Sequence, residues 1–277
     1  MNVRFSSDPN LYRTMTQGEL RASFLIDSLF TPDNIPLVYS DVDRSIIGSA
    51  VPVSGQLQLL SSKKEMAAEY FTERREIGII NIGDEGIVTT DGEQHELAHK
   101  DGLYIGRGTK EILFASKLPS SPAEFYLMSY PAHAEFPTAY IRCSETEPTT
   151  LGSQKDANKR TIYKYIHPRG VKSCQLVMGL TELEEGSVWN TMPPHTHLRR
   201  SEVYMYFNLA PSAMVVHLMG KPDETKHIVM RNKQAVISPS WSIHAGGGTQ
   251  AYSFIWAMGG ENQVFEDIDP VRVEELL

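Results

Sequence analysis

The chain has 277 residues, 41% of them hydrophobic and 22% charged, with a formal net charge of −8 at pH 7. This is the composition of a soluble globular protein with one large or two medium domains; the acidic balance and the lack of any Lys/Arg run longer than two exclude the basic footprint of a nucleic-acid binder. No stretch approaches the ~18 apolar residues of a membrane span, residues 1–9 lack the apolar core of a signal peptide, and Cys143 and Cys174 are expected as free thiols, so a cytoplasmic protein with no membrane partner is expected.

Between Thr16 and Phe30, Leu20, Phe24, Leu25 and Leu29 recur at helical intervals, with Thr16 and Glu19 placed as a capping box. The spacing predicts one amphipathic helix ended by Pro32. From Leu37 the texture changes to short apolar or alternating runs broken by Gly, Pro, Asp and Ser, among them 77–82, 86–90 and 112–115, with an Asp91-Gly92 turn. Many short strands at close intervals read as a β-sandwich or barrel.

The apolar pattern fades between about 131 and 160, where Ser144-Glu145-Thr146-Glu147-Pro148 and its neighbours form the best linker candidate. Strand texture then resumes to Met258. The two halves read as a diverged repeat: Glu73-Arg74-Arg75-Glu76-Ile77 parallels Leu198-Arg199-Arg200-Ser201-Glu202-Val203 loosely, and 101–106 falls where 235–239 falls. No His precedes Glu76, so the first half is expected to be a metal-free barrel over 1–140, carrying the N-terminal helix. A linker over 141–160 and a metal-binding barrel over 161–277 complete the predicted layout.

The chemistry concentrates in the second half. His195 and His197 are two apart, which on a strand turns both imidazoles to one face, and Glu202 returns after a short turn. With His244 from Pro239-Ser240-Trp241-Ser242-Ile243-His244, these residues make a four-ligand divalent metal site. A helix would need His at i and i+4, and Pro193-Pro194 argues against one. Tyr204 and Tyr206 share the parity of Glu202 and are candidate proton donors, and Tyr252 heads a later face with Phe254 and Trp256. Trp189 and Thr191 share the parity of His195 if the strand runs regularly through the prolines. Arg160, Arg199 and Arg200 are the candidates for an anionic group on a substrate.

Gly-(x)n-His-x-His-(x)4-Glu followed by Pro-x-Trp-x-Ile-His resembles the two motifs of the cupin superfamily, which implies an all-β chain of two tandem cupin-like jelly-roll β-barrels, a bicupin, with a few short helices. Residues 71–83, 179–183, 189–193, 235–245 and 254–263 are similar to the 5-keto-4-deoxyuronate isomerases over nearly the full length. That resemblance implies a cytosolic homohexamer of pectin and uronate-polymer breakdown that interconverts 5-dehydro-4-deoxy-D-glucuronate and 3-deoxy-D-glycero-2,5-hexodiulosonate. It places Zn²⁺ on His195, His197, Glu202 and His244, although this donor set also suits other divalent ions; Trp241, inside the second motif, is added as a substrate contact. The cupin motif alone also fits an Fe(II) dioxygenase or a non-catalytic sugar-binding module.

Overall fold

The computed structural model describes residues 1–277 and is built almost wholly of strands. It divides into two compact units, and neither is a continuous stretch of chain. The first comprises Met1–Arg4, Ser28–Thr146 and Tyr165–Val177; the second comprises Phe5–Asp27, Glu147–Lys164 and Met178–Leu277.

In the first unit, a seven-stranded sheet runs in the order 2–4, 37–40, 46–50, 125–131, 75–81, 102–105, 139–141, and a four-stranded sheet in the order 57–58, 112–116, 86–90, 93–97. Ile77, Ile79, Val88, Leu103, Phe114 and Phe125 meet in one apolar core. The Phe114 and Phe125 rings, one from each sheet, lie 5.3 Å apart. Asp91 and Gly92 close the 86–97 hairpin with positive φ at both positions, as an Asp-Gly turn requires.

The second seven-stranded sheet runs in the order 149–151, 160–166, 177–183, 253–260, 200–207, 234–238, 25–26, and its four-stranded companion in the order 189–190, 243–248, 215–221, 224–230. Arg200–Phe207 is the strand that matters most. It pairs antiparallel with Ser253–Gly260 on one side and Gln234–Ser238 on the other, so Glu202 lies opposite Met258 and Ser238. All eight of its residues are buried. Beyond the two sheets, His195–Thr196 pairs with Asp269–Pro270 as a separate ribbon.

Two expectations are corrected here. The N-terminal helix is shorter, Gln17–Phe24, and belongs to the second unit, not to a barrel over 1–140. Thr16 and Glu19 form the capping box, but Leu25 and Ile26 leave the helix to pair with Val236 and Ala235 at the sheet edge. Tertiary pairing of a buried apolar dipeptide outweighs helical propensity there. Phe24 and Tyr12 pack edge-on against Trp241, and the Tyr12 hydroxyl donates to the Met219 carbonyl at 2.9 Å. Second, the 141–160 stretch is not a bare linker: Thr149–Leu151 forms an edge strand on Arg160–Ile166. All three of its residues are exposed, so the stretch lacks the half-buried alternation by which a strand is recognised.

Candidate metal centre

His195 leaves its ribbon, His197 and Glu202 bracket the turn into the central strand, and His244 stands on the facing sheet at Ile243–Gly248. Their ligating atoms all lie within 4.8 Å of one another. His244 Nε2 is 3.1 Å from His195 Nε2 and 2.9 Å from Glu202 Oε2, and His197 Nε2 is 3.1 Å from the same carboxylate oxygen. Donors bonded to a tetrahedral ion at ~2.0–2.1 Å stand roughly 3.3 Å apart, so this cluster is of ion-holding size.

The imidazoles are oriented for that task. His197 Nδ1 donates to the Arg200 carbonyl at 2.8 Å, which leaves Nε2 with its lone pair turned to the cluster. His195 is driven down to a pKa of about 3 by burial and then by His244, so it is a neutral donor at any ordinary pH. Burial alone would raise the Glu202 carboxyl, but His244 and His197 outweigh it and hold the group well below the usual carboxylate range. Three imidazole nitrogens and one carboxylate oxygen are a donor set that fits a borderline divalent cation.

A cavity of about 350 Å³ opens beside the cluster, lined by His195 and Glu202 together with Thr191, Tyr204 and Arg160. Phe254, Trp256, Met258 and Ile162 supply its apolar walls. An added Cβ at Gly179 would lie 2.2 Å from the Trp256 ring, so only glycine lets the indole lie where it does. Its Nε1 donates to Thr181 Oγ1 at 3.0 Å. The Arg160 guanidinium donates to the Asn158 carbonyl, and burial lowers its pKa without removing its charge.

The other sequence candidates separate by depth. Tyr204 borders the cavity, its hydroxyl 2.9 Å from Thr191 Oγ1, and burial followed by Glu202 pushes its phenol well above the ordinary value. Tyr206 and Tyr252 sit behind it: the Tyr206 hydroxyl is 2.8 Å from His217 Nδ1, and Tyr252 donates to Asn190 Oδ1 at 2.6 Å. Trp189 does not share the inner face with Thr191. The strand stops at Asn190 and Thr191 takes φ 50°, so the parity argument fails. Trp241 packs under the helix, as described above.

Arg199 and Arg200 are engaged elsewhere. Arg199 grips two carboxylates, Asp267 at 2.6 Å and Asp269 at 2.9 Å. Arg200 is 1% exposed and donates from Nη2 to the Asp267 carbonyl at 2.7 Å, while its Nε and Nη1 have no protein partner. These contacts, with Val271 N donating to the Pro194 carbonyl at 3.0 Å, stitch residues 261–271 onto the segment that carries His195 and His197, and Asn262 Nδ2 braces the strap from within by donating to Asp267 Oδ2 at 2.6 Å. This strap brings Phe265, Glu266 and Ile268 to the cavity. The sequence reading missed it; the available signal was Glu-Asp-Ile-Asp downstream of an Arg-Arg pair.

The profile of the KduI/IolB family matches residues 39–274. Proteins named 4-deoxy-L-threo-5-hexosulose-uronate ketol-isomerase are 56% identical in Caldicellulosiruptor bescii and 54% identical in Lachnoclostridium phytofermentans, each over 276 residues, and 50% identical in Salmonella newport over 277; every alignment covers 100% of both chains. Among solved structures, an IolB-like protein from Salmonella typhimurium LT2 superposes with a TM-score of 0.70 at 14% identity, covering 87% of this chain and 94% of that one. Bacillus subtilis oxalate decarboxylase, described with Mn(II) centres, gives 0.56 at 12% identity, covering 81% and 71%. The fold is thus mostly β, with cupin-like neighbours.

Proposed function

From the premise that the chain belongs to the KduI/IolB family, we propose that it is a 4-deoxy-L-threo-5-hexosulose-uronate ketol-isomerase. It interconverts 5-dehydro-4-deoxy-D-glucuronate and 3-deoxy-D-glycero-2,5-hexodiulosonate in the breakdown of pectin and other uronate polymers. The observation that carries this reading at the site is a cluster of three imidazoles and a carboxylate that opens, through His195 and Glu202, onto a cavity holding one guanidinium.

His195, His197, Glu202 and His244 would hold the ion. Bound there, a divalent metal supplies Lewis-acid polarisation of the substrate carbonyl. Arg160 is the cation among the lining residues, and a guanidinium is the group best suited to a uronate carboxylate. It therefore sets which end of the bound sugar acid lies away from the ion. Tyr204 keeps its proton and donates a hydrogen bond to a substrate oxygen. Phe254, Trp256, Met258 and Phe265 shield the reacting carbons from water.

In the finer reading, the two units are tandem cupin-like jelly-roll barrels, the ion is Zn²⁺, the assembly is a homohexamer and the compartment is the cytoplasm. The family resemblance supports these together, and the two-sheet build of each unit supports the first. The donor set accommodates Mn, Fe, Co or Ni as well. No helix is long and apolar enough to cross a membrane.

The test is a coupled assay of the purified protein on 5-dehydro-4-deoxyglucuronate, before and after chelation, with metal content measured in parallel. Conversion to the diulosonate that stops with chelator and returns with Zn²⁺ is expected. A fully metallated protein that converts nothing would sink the reading.

A further inference from the structure

Moving a hydrogen between adjacent carbons by way of an enediol requires a group that takes a proton from carbon and gives it back. Three lining residues outside the donor set are titratable: Arg160, Tyr204 and Glu266. A guanidinium is a permanent cation. A phenol ordinarily ionises only near pH 10, so Tyr204 carries its proton at neutral pH. Neither can accept a proton at neutral pH, and the remaining walls are apolar or hydroxylic.

We propose that Glu266, on the rim of the cavity, is the catalytic base of the isomerisation, and that the Arg199 clasp on the strap is what positions it. The assignment rests on the ketol-isomerase reading. It stands on two independent observations: Glu266 borders the same cavity as Glu202, His195 and Arg160, and the strap that carries it is registered to the ligand segment. The Asp267 carboxylate is gripped by Arg199, its carbonyl by Arg200, and Asp269 and Pro270 pair with Thr196 and His195. The anchor one position away holds the backbone of Glu266, and its side chain is exposed at the cavity rim. A held backbone narrows the distances over which that carboxylate can meet a bound substrate.

The step balances without any co-reactant. The Glu266 carboxylate takes the proton from the hydroxyl-bearing carbon next to the aldehyde, that C–H electron pair becomes the C=C bond of the enediol, and the aldehyde oxygen gains a proton from solvent water, matched later by the one the neighbouring O–H gives back to solvent. The carboxylic acid then returns its proton to the former aldehyde carbon as the C=C pair moves there. The neighbouring O–H loses its proton and becomes the ketone. One carbon is reduced and its neighbour oxidised within the same molecule.

The experiment compares kcat, KM and metal content of the full-length wild type, Glu266→Gln, Glu266→Asp and Glu266→Ala, the last with and without added formate. Wild-type turnover is measured first; its absence fails the isomerase reading, and this assignment with it. With an active wild type, Glu266→Gln should lose kcat about 100-fold or more, with KM within a few-fold and the metal retained. Glu266→Asp should keep a larger share, and formate should restore turnover to Glu266→Ala in proportion to its concentration. Wild-type kcat in Glu266→Gln overturns the assignment. So does a loss confined to KM or accompanied by loss of metal, since either would make the carboxylate a binding or structural group.

Discussion

Glu76 and Glu202 stand on the fifth strand of their respective seven-stranded sheets, one opposite Tyr130 and the other opposite Met258, yet their carboxylates serve different ends. Glu202 faces three imidazoles. Glu76 accepts the Tyr104 hydroxyl at 2.8 Å and the backbone N–H groups of Cys174, Gln175 and Leu176 at 2.7–2.9 Å. The loosely matched Arg-Arg and Glu of the two halves therefore frame a candidate metal donor in one unit and an anchor for a returning chain segment in the other.

Glu76→Ala removes the acceptor of four hydrogen bonds inside a fully buried site. Hydrogen bonds to a charged group contribute about 1.5–3 kcal/mol each when lost singly and are not additive. The variant should be destabilised by about 3–5 kcal/mol, read from the denaturant midpoint, with metal content per folded chain unchanged.

His244→Ala and Glu202→Ala each remove one of four donors. Metal analysis after dialysis should fall from about one ion per chain to a small fraction of that, and turnover should fall with it. Retention of a full ion by either variant would show that the site lies elsewhere.

Arg160→Ala should weaken binding of the uronate by about 2–3 kcal/mol, roughly 30- to 150-fold in KM. Arg160→Lys keeps the charge but loses the fork and should recover only part of this. An unchanged KM in both variants would remove Arg160 from carboxylate recognition.

His217 is fully buried and is driven from 6.5 down to about 3 by burial and then by His244. The unfolded chain therefore takes up a proton as pH falls below 6.5, whereas the folded chain does not until about 3. The stability this neutral ring confers is complete above 6.5 and drains away as pH falls. In His217→Gln the slope of unfolding free energy against pH between about 6 and 4 should be shallower by up to about 1.4 kcal/mol per unit. Equal slopes would place the acid sensitivity in other groups.

Arg199→Met releases Asp267 and Asp269. Because this clasp is partly exposed, its strength should fade with salt. Limited proteolysis should cut within 261–271 several times faster in the variant than in the wild type at low salt, and the difference should narrow at about 1 M NaCl. Equal cutting rates would mean that the ribbon at Asp269–Pro270 holds the strap unaided.

The donor set was legible because its spacing is local: His-x-His on one extended segment, a short turn, and Glu202 on a strand of aromatic and β-branched residues. His244 was legible through the Pro-x-Trp-x-Ile-His context. Trp189 is misplaced by parity because the strand ends at Asn190 and a positive φ at Thr191 breaks the period of two, and neither is written in side-chain pattern. The 149–151 strand hid behind its exposure. The strap hid behind its acidity: Glu266, Asp267 and Asp269 look like a solvated run until Arg199, 68 residues away from Asp267, is seen to grip it.

The Tyr12 hydroxyl meets its carbonyl partner across 207 residues of sequence. At ribosomal rates of ~5–20 residues per second, roughly 10–40 s pass between the making of the two ends of that contact. Throughout that interval Tyr12, Leu20 and Phe24 have no finished surface to cover. The nascent chain thus carries, in residues 5–27, an apolar segment whose covering strands are made near the end of synthesis.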